Sequence, residues 1–524
     1  MNLFSNPEII RNARIQLRPR RMLIAGGLSL ALSAAIVYSF LHNADKVPGY
    51  PGSLLHVILI IQCIVLVFGG GIACLHAVQR EKDQNTYDSQ RLTRLSPWEL
   101  TLGKLFGPPL MADFIFLCFL PAAIIGAVQI HASWTIVLVT YALLILGAIV
   151  FDALALVISL YLRRGTVTWA ILAFLFITYA ASGGSFPFAP YFHLGPIGPF
   201  VLLGLPSQPS WSMADTVTQI GPRSFTVPNP FHDVFFGAPV HHALVLPFIY
   251  LTLLTWFLLA AVRNIKRDPE NYELYTPAQA LGFIYYLNFI VFSFFGWNSI
   301  QDPGISSPLV AQSLLLGLNM PLFFIFGMLV LRNRVQVRRR LHAAEAAPSG
   351  LDFLWPVPYI FAGVIVVGAA MIGIVEWKHN PALEWSLAFA IYQVIFFAVW
   401  LSVDLLFLQW MNLRRGRHPL ALGVLALAVY YVCVSIIVSA LHLNDRAFTA
   451  ILLPTPIFVL KSSLWTTQIA EWLVALAAEA AVALFFALLC RRQLAELQPH
   501  PSSISMNAPA PSASPGSASP SASL

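Results

Sequence analysis

Twelve apolar stretches, most of them near the ~20 residues that one bilayer crossing requires, constrain this chain more than any other feature. They run over 22–41, 54–78, 106–128, 135–162, 166–182, 242–262, 280–300, 309–331, 357–375, 385–411, 420–441 and 471–490. A helix rises about 1.5 Å per residue, so each is long enough, or nearly so, to span the hydrocarbon core. The expected fold class is an all-α integral membrane protein with about 12 transmembrane helices.

Composition agrees. Of 524 residues, 58% are hydrophobic and 10% charged, with a mean hydropathy of +0.74. A soluble chain carries about 25% charged residues. Net charge is +7, and the excess lies in the connections. It therefore reports orientation and contact with membrane lipid, and no nucleic acid is expected as a partner. An even number of spans puts both termini on one side. The termini and even-numbered connections hold 25 Lys and Arg, the other side five: Lys46, Arg223, Lys378, Arg446 and Lys461. That asymmetry assigns the first group, with both termini, to the cytoplasm. Cys63, Cys74, Cys118, Cys433 and Cys490 all fall in apolar segments without CxxC spacing, which argues against metal or redox chemistry.

The chain divides in order. Residues 1–21 read as a basic amphipathic helix started by Asn6-Pro7, with Ile9, Ile10, Ala13 and Leu17 on one face and Arg11, Arg14 and Arg18 opposite. It is expected to lie on the cytoplasmic membrane surface, the alternative being a solvated basic leader. Residues 22–262 form a first six-span half, 263–279 a cytoplasmic connector, and 280–490 a second six-span half. Asp152 followed by Arg163-Arg164-Gly165 is echoed by Asp404 followed by Arg414-Arg415-Gly416. With six spans per half, such repeats are parallel, related by an axis along the membrane normal. Residues 183–241 hold ten prolines and seven glycines among apolar residues. Short interfacial or re-entrant helices are expected there, on the outer face. The Pro/Ser/Ala-rich stretch 491–524 reads as a disordered cytoplasmic tail.

Between the second and third spans lies the longest polar run before that tail, Gln79–Leu105. It carries nine ionisable groups: Arg80, Glu81, Lys82, Asp83, Asp88, Arg91, Arg94, Glu99 and Lys104. Residues 81–91 are polar on every side of a helix, so no apolar face holds them to the bilayer. They read as a helix outside the membrane, either simply solvated or meeting a partner.

Asn6-Pro7-Glu8 with its arginines resembles the opening of bacterial ABC transporter permeases of the type-2 exporter class. The polar run is similar to the first cytoplasmic loop of that family at Glu81, Lys82, Thr86, Leu92, Thr93, Leu95, Ser96, Glu99, Leu100, Gly103 and Lys104. The Arg163-Arg164 turn and the outer segment 183–241 also fit. The likeness covers most of 6–262, and 280–490 by layout only. Asn85 stands where the family usually has Gly, and Arg94 where it often has Pro. The second-half loop, with Arg332, Arg334, Arg338, Arg339 and Arg340, lacks the pattern. The resemblance implies the fused permease of an ATP-driven exporter in a bacterial inner membrane. It implies a pair of separate ATPase subunits as partners, and a coupling helix involving Glu81, Lys82, Asp83, Thr86, Thr93, Ser96, Glu99, Gly103 and Lys104. No cofactor is expected on this chain; ATP and Mg are expected on the partner ATPase.

The residues alone agree that the motor is elsewhere. No GxxxxGK[ST], HExxH or GxSxG occurs, so no phosphate cradle or familiar hydrolase site is present and the chain is not expected to be an enzyme. Four acids fall within spans: Asp113, Asp152, Asp404 and Glu479. Each costs on the order of 3 kcal/mol at mid-bilayer unless it faces a polar interior. They line a pathway or bind a cation or proton, or they are buried acids satisfied by neighbouring hydroxyls and backbone. Two other readings stay open: a secondary transporter using Asp152 and Asp404, and a membrane-embedded enzyme acting on lipid-linked substrates through 183–241. The substrate is not written in the sequence.

Overall fold

The computed structural model describes residues 6–43, 50–84, 86–161, 216–220, 223–227, 232–235, 238–267, 274–291, 356–378, 387–414, 419–440 and 469–497, with isolated positions between 293 and 338. Helix dominates. Seven helices among the described residues are long and apolar enough to cross a membrane, and three shorter apolar helices accompany them. Leu23, Leu28, Leu425 and Ile436, among others, are more than half exposed. Water would penalise a surface of that kind, whereas lipid does not. The chain is a membrane protein of the multi-pass kind.

The described residues form two compact units, Met1–Leu322 with Val367–Ala390, and Phe323–Val366 with Ile391–Leu524. In the first, α1 (Pro7–Gln16) precedes α2 (Pro19–Asn43). Asn6 caps α1, its side chain accepting from the Glu8 N–H at 2.9 Å, and Pro7 fills the first turn where no N–H is needed. The second span is compound: α3 (Tyr50–Cys63), a π-helical turn at Ile64–Gly69, then α4 (Gly70–Asp83). A π turn adds a residue to the helical repeat and re-aims the helix beyond it.

α4 stops at Gln84, whose backbone N–H donates to the Arg80 carbonyl at 3.0 Å. The Thr86 N–H donates to the Glu81 carbonyl at 3.0 Å, closing the end in Schellman fashion. So 81–91 is not one helix, as the polar run suggested. It splits into the end of α4 and the short α5 (Tyr87–Arg91). α6 (Pro97–Phe106) comes next, and Pro108-Pro109 separates it from α7 (Leu110–Gln129). The third span therefore begins near 110 rather than 106, since neither proline supplies an N–H.

α8 (Trp134–Tyr161) and α9 (His242–Asn264) complete the main bundle, and α10 (Pro277–Val291) comes after it. Leu54, Leu55, Ile58 and Leu59 of α3 pack on Phe119, Ala122, Ala123 and Ala127 of α7. Gly126 allows the close approach: an added Cβ there would stand 3.0 Å from the Leu55 backbone nitrogen. Gln62, fully buried, donates to the Phe116 carbonyl at 3.3 Å and accepts from the Tyr141 hydroxyl at 2.6 Å, tying α3 to α7 and α8.

The outer segment departs from expectation. Over 216–241 the chain forms two antiparallel hairpins, β1 (Thr216–Ile220) with β2 (Arg223–Val227), and β3 (His232–Phe235) with β4 (Ala238–His241), rather than short helices. Thr216, Val217, Thr218 and Ile220 are β-branched, and two residues separate the strands of each hairpin, the spacing that tight hairpins favour. The expected helices at 183–215, the spans at 166–182 and 309–331 apart from isolated positions, and the tail beyond 497 lie outside the described residues.

In the second unit, α11 (Pro356–Lys378) contributes its first part, α12 (Leu387–Leu413) most of its length, and α13 (Pro419–Ala440) and α14 (Ile469–Ala495) all of theirs. Phe407 stacks edge-on against Phe486, the Cys490 thiol donates to the Leu406 carbonyl at 3.5 Å, and the Tyr392 hydroxyl donates to the Trp472 carbonyl at 2.9 Å. α12 and α14 are thereby fastened along their lengths.

Candidate functional site

At the charged end of the first unit, α1, α4 and α6 meet. Glu8 of α1 and Glu81 of α4 are 6% and 7% exposed, and Lys104 of α6 is 1% exposed. The Lys104 ammonium contacts Glu81 Oε2 directly and lies 3.5 Å from Glu8 Oε1. Arg11 donates to Glu8 Oε1 and Glu81 Oε1, each at 2.7 Å, and Gln90 donates to Glu81 Oε1 at 2.7 Å. Two carboxylates face two cations, so the knot is neutral overall. Burying one of these groups alone would be costly; buried together and hydrogen-bonded, they fix which helices lie side by side.

The backbone makes room for it. Gly103 and Gly107 stand four residues apart at the contact with α1. A Cβ at Gly103 would lie 2.5 Å from Glu8 Cβ, and one at Gly107 2.7 Å from Asn12 Nδ2. Such small-residue spacing lets helices approach closely. Asn6 adds a further tie, its amide donating to the Glu99 carbonyl at 2.7 Å. The basic helix is thus not simply laid on a surface: its Glu8 side is docked on α6, while Ile10 and Ile15, 37% and 41% exposed, remain open.

The expected coupling residues divide into two sets. Glu81, Gly103 and Lys104 point inward, into the knot. Lys82 is half-buried and donates to the Leu160 carbonyl at 2.7 Å, at the end of α8. Asp83, Thr86, Thr93 and Ser96 are exposed. The Thr93 carbonyl accepts from Lys266 at 2.8 Å. Ser96 and Glu99 form a reciprocal capping box at the start of α6. The Ser96 backbone N–H, then its hydroxyl, hold the Glu99 carboxyl below its ordinary pKa.

Sequence reasoning missed Tyr87 and Trp98, and named Leu92 only as part of the resemblance, outside the coupling set. Tyr87, 3% exposed, donates to the Ile265 carbonyl at 2.8 Å and lies under the Lys82 and Arg91 cations. It is the one aromatic between 79 and 97, which was the available signal. Leu92 is 87% exposed and Trp98 50% exposed, both among polar neighbours outside the spans.

The intramembrane acids are elsewhere. Asp113 sits in the first turn of α7, where the helix N-terminus favours negative charge, rather than at mid-span. It lies within electrostatic reach of Asp152. Asp152 of α8 is 6% exposed; its Oδ1 has no hydrogen-bond partner among the described residues, and a Cβ added at Gly70 of α4 would stand 2.8 Å from it. In the other unit, Asp404 of α12 accepts from the Tyr431 hydroxyl at 2.9 and 2.8 Å, and Glu479 of α14 is buried within electrostatic reach. Asp152 and Asp404 each stand nine residues before the last residue of their helices, Tyr161 and Leu413. No group of three or more metal-ligating side chains occurs among the described residues. Compared with known proteins, the chain matches no family model, no curated protein and no solved structure.

Proposed function

We propose that this chain is the membrane-spanning permease of an ATP-driven (ABC) exporter, with twelve spans in two parallel six-span halves and both termini cytoplasmic. Separate ATPase subunits would supply ATP and Mg. The observation that carries the reading is the buried knot of Glu8, Arg11, Glu81 and Lys104 standing behind an exposed Leu92 and Trp98. A motor must push on something that does not yield. Here a partner docked on Leu92 and Trp98 would act on α5 and α6, which the knot ties to α1 and to the span ending in α4. Exposed Trp and Leu outside the membrane have the character of an interface anchor. The matched places of Asp152 and Asp404 support the repeat.

This reading moves the docking surface. Glu81 is buried, so reversing its charge would first break the knot. Leu92 and Trp98 are the better probes. Truncating one anchor typically costs at least ~2 kcal/mol, which is about 30-fold in affinity. Leu92→Ala with Trp98→Ala should therefore strip ATPase activity from the purified complex while the chain still inserts and melts normally. Recovery of a full complement of ATPase with that double variant would refute the assignment. The unpartnered Asp152 Oδ1 favours one alternative, a secondary transporter. Transport driven by an imposed ion gradient, in protein that carries no ATPase, would select it.

A further inference from the structure

A cavity of about 990 Å³ opens in the first unit between α1, the start of α2, the π turn with α4, and the start of α7. We propose that it seats one anionic phospholipid. Six ionic side chains line it: Glu8, Arg11, Arg21, Arg80, Glu81 and Lys104. Arg11 and Lys104 neutralise the two glutamates. Arg21 and Arg80 are exposed and make no ion pair among the described residues, so the groove keeps two positive charges.

Apart from Asn12, Gln16, His76, Gln84 and Thr86, the rest of the wall is apolar. Ile64 and Ile72, 47% and 40% exposed, line the groove with Phe68, and the small Gly69 and Ala73 leave room between them. Arg80 lies twelve residues beyond Phe68 along the π turn and α4, or about 18 Å at the helical rise. That roughly matches half of a bilayer core with the start of its headgroup region, ~15 Å or slightly more. A small soluble anion would use the arginines and leave Ile64, Phe68 and Ile72 without a purpose. A neutral lipid would use the apolar wall and leave the arginines unmatched. An acyl chain with a phosphate-bearing anionic headgroup uses both.

The test is native mass spectrometry of the delipidated full-length chain, with phosphatidylglycerol, phosphatidylcholine or inorganic phosphate added back. It needs no ATPase, so its outcome is separable from that of the docking experiment. One phosphatidylglycerol should be retained per chain, in preference to phosphatidylcholine. Each basic residue near a headgroup contributes about fivefold in affinity, so Arg21→Gln with Arg80→Gln should lose on the order of 25-fold. Both arginines are exposed, so the double variant should melt like the wild type. Ile72→Trp, which fills the apolar half and keeps the arginines, should also weaken retention. Equal binding of phosphatidylcholine, competition by inorganic phosphate as strong as by the lipid, or unchanged retention in both variants would overturn the proposal.

Discussion

Lys104→Met is the sharpest test of the buried knot. The Lys104 side chain is 1% exposed, those of Glu8 and Glu81 are 7% and 9%, and Arg11 is 45% exposed. Methionine keeps the length and removes the charge. Two buried carboxylates are then left to share one half-exposed guanidinium. Removing one partner of a buried pair costs about 3–5 kcal/mol, mostly because an uncompensated charge stays behind. At ~2–4 °C per kcal/mol for a domain of moderate size, the melting temperature should fall by on the order of 10 °C. Glu81→Gln alone should also destabilise. The combination should cost less than the sum of the two, because it removes one charge of each sign and restores balance, with a coupling of ~0.5–3 kcal/mol. The assay is loss of the monodisperse peak on heating, monitored by fluorescence-detected size exclusion. Inactivation half-lives at one temperature would rank the variants should unfolding prove irreversible. A single variant that melts with the wild type, or strict additivity in the double, would refute the claim that these charges stabilise one another.

Three further outcomes are expected. Gly103→Ala should cost about 1–3 kcal/mol by overpacking and should make α1 more readily cut by trypsin, since the new Cβ would stand 2.5 Å from Glu8 Cβ; unchanged cleavage counts against the docked α1. Gly70→Ala should destabilise the bundle, with its Cβ 2.8 Å from Asp152 Oδ1, and adding Asp152→Ala should recover part of the loss, which a thermal double-mutant cycle reads directly. The Glu99 carboxyl is depressed in the fold, so its contribution is present above the ordinary value of 4.5 and is lost as pH falls through the lower folded value. Amide protection factors at the start of α6, corrected for the intrinsic pH dependence of exchange, should accordingly fall on acidification, and Glu99→Gln should flatten that dependence.

What the sequence made legible was local. Asn6-Pro7 announced α1 and apolar length announced the spans, whereas Ser96 with Glu99 three residues on, the capping box of α6, entered the reading only through the resemblance. The knot was hidden because its partners stand 70 and 96 residues apart, and charge alone does not say which groups meet. Gly103 and Gly107 did carry a signal, the four-residue spacing of close helix contacts, but it lay inside a run read only for its charges. The π turn at Ile64–Gly69 has no polar or proline marker in IVLVFG. Over 216–241, the high proline and apolar content masked the β-branched strands on either side of Gly221-Pro222.

The docked α1 also sets an order of events during synthesis. Asn6 must reach Glu99 across 93 residues, and Glu8 must reach Lys104 across 96. A ribosome adding about 5–20 residues per second delivers that stretch in roughly 5–20 s. Throughout this delay Glu8 has Arg11 for company and lacks Lys104. α2, α3 and α4 must all be made before α1 can be seated on α6. α1 therefore emerges ahead of α4 and α6 and is locked in place only after both, and a nascent chain halted before Lys104 leaves it undocked.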